Sequence, residues 1–258
     1  MTSSNRNILT LKTGAIALLF ALTSCTGNTN KKEKFTETIA SDTTSIVDTV
    51  GYQHIMFVKV KPEKWDTLMK AMYNNVVQTR KEPGSVLFTF FQPEDGRYEV
   101  ALLERFKNRA VFEDHLKKPY LPHQVWKEAK EANDPMEMKE LKELAEVPAV
   151  EPENADEIYS PRNVLVTFDV KPEKRQVFLD AIAAVTPRAR QAKGNTRFNV
   201  FQYVENANKF LLVESWESVP DHEAHLAQDY SKKFDAAIKG IFVSNPVDTR
   251  WLAKDISK

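Results

Sequence analysis

Two stretches decide the fold: His54–Lys64, HIMFVKVKPEK, and Val164–Lys174, VLVTFDVKPEK. The second begins 110 positions after the first, and both end in Val-Lys-Pro-Glu-Lys. Working outward, Arg80 and Gly84 return as Arg190 and Gly194, and Phe88, Phe91 and Gln92 as Phe198, Phe201 and Gln202. Leu102 and Glu104 return as Leu212 and Glu214, and Glu113, His115, Leu116 and Tyr120 as Glu223, His225, Leu226 and Tyr230. A period this long, held without a gap, is a duplicated domain rather than a solenoid unit.

Within the first copy, 54–60 reads as a strand and Pro62 as a helix start. Trp65, Leu68, Met69, Met72, Val76 and Val77 then recur at helical spacing. Pro83-Gly84 stops that helix. Residues 85–92 and 98–106 form a hairpin around Pro93-Glu94-Asp95-Gly96. A helical stretch over 108–133, broken near Pro119 and Pro122, leads to a last strand at 136–141. The second copy repeats the order: strand 163–170, helix 172–193, strands 196–203 and 209–216, helices 219–240 and strand 246–252. Pro187 should kink its first helix or end it early. Each copy is therefore an α+β, ferredoxin-like β-α-β-β-α-β unit.

The strands at 54–60 and 164–170 are apolar on both faces. A strand buried on both sides reads this way, whereas a sheet with one wet face alternates. Each sheet needs a cover beyond its helices, and the other copy's sheet supplies it. The expected architecture is an intrachain dimeric α+β barrel, a pseudo-twofold monomer that requires no second chain.

The remaining segments bound the biology. Residues 1–24 carry Arg6, Lys12 and a short apolar run from Thr13 to Leu22, the pattern of a signal peptide. The run ends in Leu22-Thr23-Ser24-Cys25, which resembles a bacterial lipobox with Cys25, the chain's only cysteine, as the lipidated residue. Residues 25–51 are polar and read as a disordered tether with a reach of about 30 Å. The copies span 52–144 and 162–254, joined by a Glu- and Pro-rich linker at 145–161. The expected location is the cell envelope, on a lipid anchor.

Lys plus Arg and Asp plus Glu both number 36; without Arg6 and Lys12 the balance is 34 minus 36, or −2. With no basic stripe, nucleic acid is not an expected partner. The seven glycines are too scattered for a phosphate-binding loop. His222 and His225 stand three apart, a spacing that permits metal ligation, yet no third ligand is evident and no metal is expected.

The ordered set Arg80-Lys81-Glu82-Pro83-Gly84-Ser85, Leu103-Glu104-Arg105-Phe106 and Glu113-Asp114-His115-Leu116 through Tyr120 resembles the antibiotic biosynthesis monooxygenase family. So does Leu212-Val213-Glu214-Ser215-Trp216 followed by Glu223-Ala224-His225-Leu226 and Tyr230. The resemblance implies a dimeric α+β barrel with a pocket between sheet and helices in each unit. It also implies oxidation of a small aromatic or quinol-type molecule by oxygen, without flavin, metal or other cofactor. The haem-degrading branch asks for an Asn within the first strand, where this chain has Ile55 or Leu165.

On that reading His115 and His225 are the catalytic candidates, since imidazole exchanges protons near neutrality. A histidine bonded across the domain as part of the fold is the alternative. Tyr120 and Tyr230 would line the pocket mouth or pack at a helix junction. Phe106 and Trp216 would line the pocket or fill the core. Glu104 and Glu214 would orient a ligand or the nearby histidine, or, the favoured reading, cap the next helix. His123 would add a donor in the first copy only. A non-catalytic binding or interaction lipoprotein on the same scaffold is the competing functional class.

Overall fold

A computed structural model describes residues 51–151 and 160–257. The signal peptide, Cys25, the tether up to Val50 and much of the linker lie outside the described residues.

The order in each copy is the expected one. The first copy has β1 (Tyr52–Lys59), α1 (Trp65–Thr79), β2 (Ser85–Pro93), β3 (Glu99–Phe106), α2 (Arg109–His115), α3 (His123–Ala129) and β4 (Met138–Glu143). The second has β5 (Arg162–Asp169), α4 (Arg175–Arg190), β6 (Asn195–Tyr203), β7 (Lys209–Trp216), α5 (Val219–Leu226), α6 (Asp229–Ala237) and β8 (Trp251–Asp255). Pro62 and Pro172 each open a single 3-10 turn before α1 and α4. The duplication extends to register: Tyr52 faces Phe106 as Arg162 faces Trp216, and a bulge follows Ser85 in β2 as it follows Asn195 in β6. That bulge exposes Val86. Gly84 and Gly194 both hold positive φ just after the first helix, and a Cβ on Gly194 would come within 2.6 Å of Asp221. The duplicated glycine is thus required by a close approach of the α5 N-terminus.

All eight strands close one antiparallel barrel in the order β1-β3-β2-β8-β5-β7-β6-β4. The seams are β2 with β8 and β4 with β6, so the last strand of each copy pairs with the other copy. The inner faces of both sheets form one core, with Ile55, Phe91 and Leu103 against Leu165, Phe201 and Val213. The outer faces pack under their own helices: Met56, Val58 and Phe88 under α1 in one copy, Val164, Val166 and Phe198 under α4 in the other. This is why both faces of β1 and β5 are apolar. The twelve buried residues of the inner core contribute on the order of 20 kcal/mol. That exceeds the net stability of a typical domain, so the halves cannot stand apart with their inner faces wet.

Segment exits reinforce the closure. Arg80 donates to Phe88 O of its own copy and, at 2.9 Å, to Ser257 O beyond β8. Arg190 does the same with Phe198 O and, at 2.9 Å, with Pro148 O beyond β4. The duplicated arginine therefore clamps the chain leaving the other copy.

Two expectations need correction. The last strand begins at Trp251 rather than 246, because Asn245 and Pro246 start a 3-10 turn at Pro246–Thr249. The helix α4 runs past Pro187 but ends at Arg190, three residues short of the expected 193. Proline there lies in the last turn with its ring exposed, so it forfeits a single terminal hydrogen bond.

Candidate active site

The two helix–sheet spaces lie outside the barrel, one per copy, and the same scaffold builds them differently. In the second copy β7 alternates its side chains, sending Val213 and Ser215 inward and Glu214 outward beneath α5. Helix α5 is capped by Ser218, whose Oγ accepts from Asp221 N. His222 and His225, three apart, share the helix face above Glu214, and each Nε2 lies 4.0 Å from Glu214 Oε2. Trp216 is fully buried and donates its Nε1–H to the same oxygen at 3.0 Å. His225 Nδ1 lies 2.9 Å from the Tyr230 hydroxyl, and Ser231 Oγ donates to His225 O at 2.6 Å. Glu214 is thus the carboxyl that the register of β7 brings beneath these histidines. Even so, no group of three or more His, Cys, Asp or Glu side chains among the described residues is arranged to hold a metal ion.

Against this cluster opens a cavity of about 380 Å³. Its walls are Val164, Val166, Phe198 and Leu212 from the sheet and Phe234 and Ile238 from α6 and its exit. That volume falls in the range of small-molecule sites, roughly 300–1,000 Å³. His225 also borders a second, outer groove of about 670 Å³ lined by Ala192, Lys193 and Tyr230 among others. The imidazole is thus a wall between an apolar interior and an outer groove.

In the first copy the equivalent space is filled. His54 stands where Val164 stands, Glu82 where Ala192 stands, and Phe112 where His222 stands. The Phe112 ring lies 4.5 Å from that of Tyr52 and 5.0 Å from that of His54. Glu82 Oε1 lies 2.7 Å from His115 Nδ1 and also accepts from the Tyr120 hydroxyl. Glu104 Oε2 lies 3.5 Å from His54 Nε2 and 3.9 Å from His115 Nε2. His54, Phe106, Phe112 and His115 are all buried.

Burial sets the protonation states. The Glu214 carboxyl is pushed up to about 7 by desolvation, with the Trp216 bond pulling the other way. Desolvation lowers His222 and His225 to about 4, aided at His222 by the charges of Arg162 and Arg250. In the first copy desolvation, then the Glu82 charge, raises Glu104 to about 8, and burial drops His54 to about 3. Tyr120 and Tyr230 are both raised, chiefly by burial. A group that must exchange a proton near pH 7 works best with a pKa near 7. In the second copy that description fits Glu214 and not the histidines.

The sequence-based candidates thus converge within each copy: Glu104, Phe106, His115 and Tyr120 in one, Glu214, Trp216, His225 and Tyr230 in the other. Two readings change, those of the glutamates and of His123, and the aromatic residues take one of the alternatives given for them. Glu104 and Glu214 do not cap the following helices, whose caps are Asn108 and Ser218; they lie two residues before the strand end and point under the helix. Phe106 and Trp216 are core residues, Trp216 also holding Glu214. The tyrosines sit at the helix junctions with their hydroxyls bonded to Glu82 and His225. His123 is exposed at the start of α3 and takes no part. Sequence reasoning passed over His54 and Glu82, although comparing the copies position by position exposes both, as His54/Val164 and Glu82/Ala192.

The family profile of antibiotic biosynthesis monooxygenase matches residues 52–127 and 161–237. "Putative monooxygenase YcnE" of Bacillus subtilis is 30% identical over 79 residues, 31% of this chain and 82% of that protein. A crystal structure from Fusobacterium nucleatum, also described as a monooxygenase of that standing, superposes with a TM-score of 0.69 at 18% identity. It covers 81% of this chain and 93% of its own, so the likeness in fold spans both copies. An "anthrone oxidase-like protein" superposes with a TM-score of 0.55 at 15% identity, over 81% of this chain and 92% of its own. With the profile matched twice over a closed barrel of the expected order, this chain belongs to the antibiotic biosynthesis monooxygenase family, as two tandem copies.

Proposed function

We propose that the second copy is a monooxygenase site for a small aromatic or quinol-type molecule, and that Glu214 takes the substrate's proton. The observation that carries this reading is the open apolar cavity over a buried carboxyl whose pKa lies at about 7. An acidic phenol or an activated ring methylene loses a proton to Glu214. The resulting anion is electron-rich enough to reduce molecular oxygen. One oxygen atom enters the product as a carbonyl and the other leaves as water, so a ring CH2 plus O2 gives C=O plus H2O. His222 and His225, neutral because of burial, offer hydrogen bonds to the developing oxyanion rather than a base. The "anthrone oxidase-like" description of one structural relative is in keeping with such a substrate.

Aerobic turnover of a hydroquinone or anthrone by the purified protein tests the assignment. Glu214→Gln should lower kcat at least a hundredfold, and the wild-type rate should rise as pH passes upward through about 7. Glu104→Gln should leave the rate within about twofold, because Glu104 lies in the other copy and shares no partner with Glu214. Equal loss from both variants would refute the assignment to the second copy.

The packing of Phe112 against Tyr52 and His54 favours a second reading for the first copy alone, in which it serves as scaffold. The same proposal keeps Cys25 as a lipid anchor and the tether as a spacer at a membrane surface. Mass spectrometry of the mature amino terminus should find a diacylglyceryl-modified cysteine; an unmodified cleaved terminus would remove the anchor.

A further inference from the structure

The charge around the second-copy cavity carries information on its ligand beyond an aromatic ring. Glu214, His222 and His225 stand together at one side of the cavity and are buried, while Arg250 and Lys239, which also line it, are exposed. Neither cation has an ion-pair partner among the described residues. Arg250 lies in the segment before β8, bonded there only by its backbone N–H to Val247 O at 3.3 Å.

His222 is an imidazole that the fold does not explain. It is 5% exposed, its Nδ1 is walled off without a hydrogen-bond partner, and its Nε2 is 4.0 Å from the nearest carboxylate oxygen. A buried polar group left unbonded costs free energy, and His54 Nδ1 in the first copy bears the same cost. The first copy meets the same packing need with Phe112.

Resting on the reading of this cavity as a substrate site, we infer that its ligand is an aromatic acid. Its ring carries a hydroxyl or carbonyl oxygen that reaches the Glu214–His222 side and a carboxylate that meets Arg250 and Lys239 at the rim. Aliphatic and aromatic walls between the two polar zones hold the ring system. The carboxyls that could oppose such an anion are Glu214 and Asp235, both of which also line the cavity. Burial pushes both upward, which weakens that opposition.

Two probes that share a hydroxynaphthalene frame test this by calorimetry on the full chain. 6-Hydroxy-2-naphthoate should bind about tenfold more tightly than 2-naphthol at low ionic strength, the scale of one charge-assisted contact at a partly screened site. The advantage should shrink in about 0.5 M salt. It should fall below about twofold in an Arg250→Gln, Lys239→Gln variant, which loses only exposed side chains and binds 2-naphthol as before. Equal binding of the two probes by the wild-type protein, or an advantage that survives in the variant, overturns the inference and leaves the aromatic site standing. Failure of both probes to bind overturns the inference and the site together.

Discussion

At the scale of single residues, the two copies act as a natural mutagenesis experiment on one scaffold. Three exchanges, His54/Val164, Glu82/Ala192 and Phe112/His222, separate a packed interior from an open cavity of about 380 Å³. Reversing one of them should narrow the cavity: His222→Phe is expected to weaken 2-naphthol binding at least tenfold while leaving the thermal midpoint within a few degrees. A wild-type binding constant in that variant would show that the cavity is not the site. Glu214 makes a second prediction with a defined sign. Its folded pKa, about 7, lies above the reference value of 4.5, so folding favours the protonated acid. The resulting destabilisation is absent below about pH 4.5, grows as pH rises and is complete above about pH 7. Glu214→Gln keeps an acceptor for Trp216 Nε1 and removes the titration. The variant should exceed the wild type in stability by up to about 3 kcal/mol at pH 8 and match it near pH 4. Urea midpoints at the two pH values decide this, and a constant difference would show that burial does not shift Glu214. None of this was legible from residue types. Glu104 and Glu214 read as helix caps because the sequence shows them before a helix, while only the strand's register shows which face they take. His225 read as a base because the reference pKa of imidazole is near neutral, and burial reverses that order against Glu214.

At the scale of elements, the segment after β4 is more than a connection. Val147 bridges back to Leu144 and joins the second copy's core. Val150 exchanges two backbone hydrogen bonds with the Asn199 side chain, at 3.0 and 3.1 Å. Glu151 then ties together groups from both copies at one end of the barrel. It accepts from Arg105 at 2.8 Å, from Arg197 at 2.8 Å and from Asn199 at 2.8 Å. Both arginine side chains are buried; removing the shared carboxylate leaves Arg197 without a carboxylate and Arg105 with Glu143 alone. Glu151→Ala should cost about 3–5 kcal/mol. Glu146→Ala, on the same segment but exposed, should stay within about 0.5 kcal/mol. Equal effects would mean that the segment is a passive tether. Most elements could be read from periodicity and from Pro and Gly punctuation, including the break between α2 and α3. What escaped was set by tertiary contact: β8 starts later because Pro246 nucleates a turn first, and α4 continues past Pro187 because that residue's ring meets solvent.

At the scale of the whole molecule, the doubled apolar strands announced the barrel, and closure within one chain follows from the β2–β8 and β4–β6 seams. A seam of that kind couples the halves, so unfolding should be one cooperative transition, with fluorescence and far-UV circular dichroism superimposed. Two separated transitions would show that the copies fold independently. The space beside Glu104 is packed and the one beside Glu214 is open, while the first copy's own cavity, about 270 Å³, lies elsewhere, against α1. That asymmetry could not be seen in the retained residues, which mark what both halves need, and appears only where the copies diverge. It is tested most directly by the stoichiometry of 2-naphthol binding, measured by calorimetry on the full chain. One molecule bound per chain, weakened in His222→Phe and unaffected in Glu104→Gln, is the predicted result; two equivalent molecules per chain would contradict the division of labour between the copies.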